Sequence, residues 1–68
     1  MDISEAVKTQ HFQGGGKITN PNVLSEGQYL VQEVGHVTIQ FCDPGSGSAD
    51  WRPTLAQLAT DTYEEVTE

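Results

Sequence analysis

The residues able to do covalent or metal chemistry are few: one cysteine, Cys42, two histidines, His11 and His36, and ten Asp and Glu set against Lys8, Lys17 and Arg52. A nucleophile–base pair needs Cys42 beside a histidine. In the hairpin derived below, His36 sits in the turn and Cys42 at the far end of a strand, roughly 20 Å away at about 3.3 Å per residue, so the two do not meet. His11 belongs to a different segment. Structural zinc asks for four ligands with local spacing, and His11, His36 and Cys42 are scattered along the chain. The stretch from Asp43 to Asp50 lacks the acidic or amide residues an EF-hand loop carries at its third and fifth positions. Gly14-Gly15-Gly16-Lys17-Ile18 lacks the spacing of a phosphate-binding loop. Glu64 and Glu65 are neighbours and would point to opposite faces of a strand. The expectation is a protein that is not an enzyme and has no catalytic, cofactor or metal site.

Contact chemistry is what remains. Trp51 and Arg52 follow a glycine and serine-rich stretch and precede Pro53, and tryptophan and arginine are the residue types most enriched at binding hot spots. Trp51 also suits a core plug in a chain with so few aromatics. Phe12 is the aromatic hardest to place in a core, and it shares the N-terminal segment with Ile3 and Val7. These five, Ile3, Val7, Phe12, Trp51 and Arg52, are the candidate partner-binding residues.

The formal net charge of −7 on 68 residues argues against direct binding to nucleic acid, whose affinity comes from cations placed against phosphates. An acidic surface fits solvation, attraction to a basic protein surface, or mimicry of nucleic acid. No apolar run approaches the roughly 20 residues of a membrane span, and the N-terminus shows no signal peptide. The expectation is synthesis in a cytoplasm without export by a standard signal.

Size narrows the reading further. A chain this short buries only about 60% of the surface its unfolded form exposes, and a lone cysteine excludes an internal disulfide. Association, with copies of itself or with a larger partner, is the remaining source of stability.

The elements that must position these residues can be read in order. Asp2 and Glu5 have capping-box spacing, so residues 1–12 could form a short helix. A helix below about 12–15 residues is marginal in water, and residues 1–16 are read as a flexible arm ending in a hinge at Gly14-Gly15-Gly16. Residues 17–68 are read as a single small β domain. Asn20-Pro21-Asn22 marks a turn, flanked by short extended pieces at Ile18 and at Val23-Leu24.

Residues 29–34 and 37–42 are β-rich runs around Gly35-His36, which predicts a hairpin with a type II′ turn. If Val34 faces Val37, Gln32 pairs with Ile39 and Leu30 with Phe41. One face then carries Leu30, Val34, Val37, Ile39 and Phe41. The other carries Tyr29, Val31, Glu33, Thr38, Gln40 and Cys42. Residues 43–50 read as a loop. Thr54 and Gln57 cap a helical turn near 55–59, followed by a strand over about 62–67, with one C-terminal helix over 55–66 as the alternative. The fold class expected is mainly β, a small antiparallel sheet or compact sandwich or barrel. With the C-terminal helix it becomes α+β.

Gly27-Gln28-Tyr29-Leu30-Val31, Val37-Thr38-Ile39-Gln40, Gly47-Ser48-Ala49-Asp50-Trp51-Arg52-Pro53 and Thr62-Tyr63-Glu64 together resemble the compact β modules of tailed-phage virion proteins, over Gly27 to Thr67. The helical reading of Thr54 to Ala59 departs from that pattern, where an extended segment is expected. The resemblance implies a capsid decoration or accessory protein in the virion. It would bind the outer surface of the phage head as a homo-oligomer, with the major capsid protein as partner and without nucleic acid or membrane contact. The alternative drawn from charge is a small acidic phage-encoded inhibitor that occupies the basic nucleic-acid groove of a host protein.

Overall fold

A computed structural model describes residues 1–33 and 35–67. Its architecture follows from a few local decisions near the N-terminus. Asp2 caps the helix α1 (Ile3–Lys8) with the full reciprocal box: Glu5 N–H donates to Asp2 Oδ1 at 2.8 Å, and Glu5 Oε1 accepts from Asp2 N–H. Thr9 ends α1 in an extended conformation and caps α2 (Gln10–Gln13), accepting from Phe12 N–H while its hydroxyl donates to the Ala6 carbonyl. One threonine therefore breaks a helix and restarts it at a new angle. Buried Ala6 and Phe12 join the same core.

The glycine triplet closes α2. Gly15 has φ +92°, Gly15 N–H donates to the Phe12 carbonyl and Gly16 N–H to the His11 carbonyl. This is a Schellman cap, in which a left-handed glycine lets two orphan carbonyls of the last turn find donors. A Cβ on Gly16 would come within 2.6 Å of His11. The triplet is thus a packed helix stop and not a hinge, and the flexible arm expected for residues 1–16 is corrected accordingly. His11 Nε2 lies 2.8 Å from the Lys17 carbonyl and ties the cap to the first strand.

Five short strands follow among the described residues: β1 (Lys17–Thr19), β2 (Tyr29–Val31), β3 (Gln40–Asp43), β4 (Gly47–Asp50) and β5 (Glu64–Val66). They form one antiparallel sheet in the order β4-β3-β2-β1-β5. The cross-strand pairs Ile18↔Leu30, Leu30↔Phe41 and Phe41↔Ala49 make one row across the sheet. This row faces the core of Ala6, Phe12, Ile18, Leu24, Leu30 and Tyr63, with Ile39, Phe41 and Trp51 packed at its margin. The fold is a small mainly β, α+β body, and the predicted pairing of Leu30 with Phe41 is present.

The hairpin is shorter than expected. Its ladder stops at Val31↔Gln40, and His36 N–H closes a separate turn onto the Glu33 carbonyl, with Gly35 at φ +88°. Glycine therefore takes the third position of a turn and not the second position of a type II′ turn. The ladder does not reach a Gln32–Ile39 pair, and the Ile39 carbonyl faces the β4 side, accepting from Trp51 N–H at 2.8 Å. Val34 lies outside the described residues. Val37, placed on the buried face by the sequence, is fully exposed. A two-stranded tip with no apolar cover has nothing to hold its ladder together.

Two further expectations are corrected. Val23-Leu24 is not extended: both amides donate to the Asn20 carbonyl, curling the turn so that Leu24 enters the core. The loop read over 43–50 is a second hairpin, since Ser46 N–H donates to the Asp43 carbonyl, Gly45 N–H to Asp43 Oδ1, and Gly47 takes φ +85° opposite Asp43. Proline after the first turn residue and a left-handed glycine at its exit are the chemistry of a tight hairpin with a bulge.

Near the C-terminus, α3 (Leu55–Ala59) has the Thr54–Gln57 capping box in both directions. Thr60 ends it in an extended conformation, so the expected helical turn over 55–59 is present and the single helix over 55–66 is not. The β5 strand then pairs with β1 through Lys17↔Val66, Ile18↔Glu65 and Thr19↔Glu64. The two chain ends meet here. The Met1 ammonium donates to the carbonyls of Asp61 and Tyr63, and Tyr63 N–H donates back to the Met1 carbonyl. Residues 1–16 are therefore built into the body formed by the rest of the chain.

Candidate interaction surface

Phe12 is 1% exposed and among the largest fully buried side chains, so it cannot anchor a partner. Ile3 and Val7 are half-buried against the same core. Of this N-terminal group, Phe12 is therefore a core residue, while Ile3 and Val7 keep part of their surface open to solvent. Their apolar spacing was visible in the sequence, but the segment looked too short to fold, and its cover by Tyr63 from the other end of the chain left no local trace.

Trp51 and Arg52 do stand at a surface. Trp51 continues the β4 ladder, is half-buried on the core margin, and lines a cleft of about 360 Å³ with Phe41, Ala49, Asp50, Arg52 and Gln57. Its indole N–H is buried without an acceptor. Across the cleft, α3 has no buried residue, and its Leu55 and Leu58 are 85% and 49% exposed. The helix is held through its backbone: the hydroxyl of buried Tyr63 donates to the Gln57 carbonyl at 2.6 Å. Burial raises the Tyr63 phenol above its ordinary value. Leu55 and Leu58 recur at helical spacing. That spacing is real, yet the apolar side meets solvent.

The opposite face of the sheet carries Lys17, Tyr29, Val31, Gln40, Cys42, Ser48 and Asp50, by alternation from the core row. The Lys17 ammonium lies 4.6 Å from the Tyr29 ring centroid, a favourable cation–π distance. Gln40 is buried and its amide donates to the Thr38 carbonyl and to Asp50 Oδ1. Asp43 accepts from Gly45 N–H and the Gln28 side chain, which together hold its carboxyl below the ordinary value.

The groups considered for chemistry are dispersed. Cys42 is buried in β3 and borders a cleft with Tyr29, Glu33 and Asp43, while His36 borders another with Gln13, Gly15 and Gln32. His36 is 3.9 Å from Glu33 on the exposed hairpin tip. Among the described residues no group of three or more His, Cys, Asp or Glu is placed to hold a metal ion. No helix among them is long and apolar enough to cross a membrane.

The class that fold and surface define is a five-stranded antiparallel sheet with helices over one face and an open edge beside an exposed apolar turn. Compared with family models, curated proteins and solved structures, the chain matches none of them.

Proposed function

We propose that this chain is a non-enzymatic assembly protein, specifically a decoration or accessory protein that docks on the outer surface of a phage head as an oligomer, with the major capsid protein as partner. The observation that carries the docking part is the outward presentation of Leu55 and Leu58 by a helix with no buried residue. Fully burying a leucine is worth about 1.5–3 kcal/mol, so with Leu55 and Leu58 largely and half exposed an isolated chain leaves a few kcal/mol of apolar burial unused. The virion part rests on the resemblance of the β runs. Its test is mass spectrometry of purified virions from the phage that encodes the chain. Stoichiometric presence on the head is expected, and a chain found only in the infected-cell lysate overturns the reading.

One observation favours a second reading, the acidic inhibitor. Net charge is −7, and Lys17 is partly occupied by the Tyr29 ring. An inhibitor held by charge loses its partner steeply as salt rises, whereas docking through leucines withstands salt.

A further inference from the structure

The two edges of the sheet differ. The β5 edge bears Glu64 and Glu65, and charged side chains are a standard guard against unwanted strand pairing. The β4 edge is Gly47-Ser48-Ala49-Asp50, exposed throughout and built from small side chains that leave the backbone reachable.

Trp51 N–H donates to Ile39, so Trp51 points its backbone inward to β3. In an antiparallel ladder this alternates from residue to residue. Ala49 and Gly47 therefore also pair inward, and Ser48 and Asp50 turn their N–H and C=O groups outward. Two residues with this orientation are the docking pattern for one added strand. Pro44 and Pro53 bracket the edge and limit the pairing to this stretch.

Side chains specify what strand would fit. Ala49 lies on the core row beside Phe41 and the Trp51 cleft, so residues of an added strand opposite Ala49 and Trp51 meet apolar surface. Ser48 and Asp50 lie on the other face, where Glu33 and Asp43 border the neighbouring cleft, so residues opposite them meet negative charge. Two copies paired edge to edge would bring the Asp50 carboxylates of both to one seam between bodies of net charge −7 each, which like-charge repulsion opposes.

We infer that the β4 edge is a strand-addition site for an extended segment of a partner protein with alternating basic and apolar residues. This rests on reading the chain as a protein-binding module and names the surface and the occupant. The probe is a capped peptide of about eight residues, the length of a long strand, alternating lysine and valine, with a glutamate–valine peptide as control. Titrated into the isotope-labelled chain, the lysine peptide should protect the Ser48 and Asp50 amides from exchange, and the glutamate peptide should bind more weakly. Ser48→Pro removes an outward N–H, a position where an edge strand tolerates proline, and should weaken binding by about tenfold or more, equivalent to about 1.4 kcal/mol, with circular dichroism unchanged. Ala49→Pro removes an inward N–H and reports what fold damage looks like. Ser48→Lys leaves the backbone intact and should shift preference toward the glutamate peptide.

No binding by the lysine peptide, shifts confined to another face, or full affinity in Ser48→Pro with unchanged preference in Ser48→Lys would overturn the site. Concentration-dependent protection of Ser48 and Asp50 without peptide would overturn the occupant in favour of a second copy. If Ser48→Pro chains still load onto virions, the edge fails and the assembly reading stands. If the wild-type chain binds the peptide through β4 but is missing from virions, the edge stands and the decoration reading fails.

Discussion

Phe12 shows how one residue can decide whether this chain folds. It is buried between Ala6 of α1 and the β1, β2 row, and truncating a buried phenylalanine to alanine costs about 3–5 kcal/mol. A single small core rarely supplies more than about 3–5 kcal/mol in total. Phe12→Ala should therefore be largely unfolded at room temperature, which loss of its near-ultraviolet dichroism and a vanished urea transition would report. Tyr63 acts more gently. Tyr63→Phe deletes the hydrogen bond to the Gln57 carbonyl, worth about 0.5–1.5 kcal/mol, and the freed carbonyl on exposed α3 can turn to water. A lowered urea midpoint with normal spectra is expected.

Two side chains make stability depend on pH, one at each end of the range. The folded Tyr63 phenol is raised above 10.0, so the native state binds its proton more tightly. Its contribution is complete below the ordinary value and is lost as pH climbs through the folded one. Asp43 is lowered from 3.8 by Gly45 N–H and then by Gln28. Its contribution is complete above 3.8 and is lost as acid passes through the folded value. Asp43→Asn keeps an acceptor for the turn, and should flatten the acid limb of urea midpoints measured against pH.

Among the elements, the N-terminal helices and α3 are opposites. The former look too short to hold and are built into the core; α3 has a complete capping box and buries nothing. Deleting residues 1–13 would, under the arm reading, leave the sheet intact and remove partner binding. The structure predicts the reverse order of events: removing Ala6, Phe12 and the Met1–Tyr63 bonds opens the core, and the β dichroism itself should collapse. Replacing both exposed leucines, Leu55→Ser with Leu58→Ser, should leave the melting curve nearly unchanged, since surface substitutions usually stay within about 0.5 kcal/mol. Loss of virion loading by that double variant would tie α3 to docking.

The whole molecule carries its acidity on a body with one guarded edge and one open edge. Net charge of −7 opposes edge-to-edge pairing of copies through β4, while β4 and α3 leave backbone donors and leucines unmatched. A partner that is basic along a strand and apolar beside it answers both features. Ionic strength then weakens the approach, through screening of exposed charges, more than it weakens the bound state.

Sequence alone determined what is local here. The Asp2–Glu5 and Thr54–Gln57 boxes and the Asn20-Pro21-Asn22 turn are written in residues a few positions apart, where spacing and backbone preference suffice, and the Leu30–Phe41 pairing follows from strand alternation on either side of one turn. The Gly14-Gly15-Gly16 stop and the Pro44 to Gly47 turn were equally local but read as slack, because glycine signals both freedom and left-handed closure until its neighbours' carbonyls are placed. Tertiary structure alone decided burial. Met1 bonds Tyr63 and Phe12 shares one core with Leu30 and Tyr63 across distances in sequence that no periodicity reaches, and a side chain's exposure depends on which distant segment covers it.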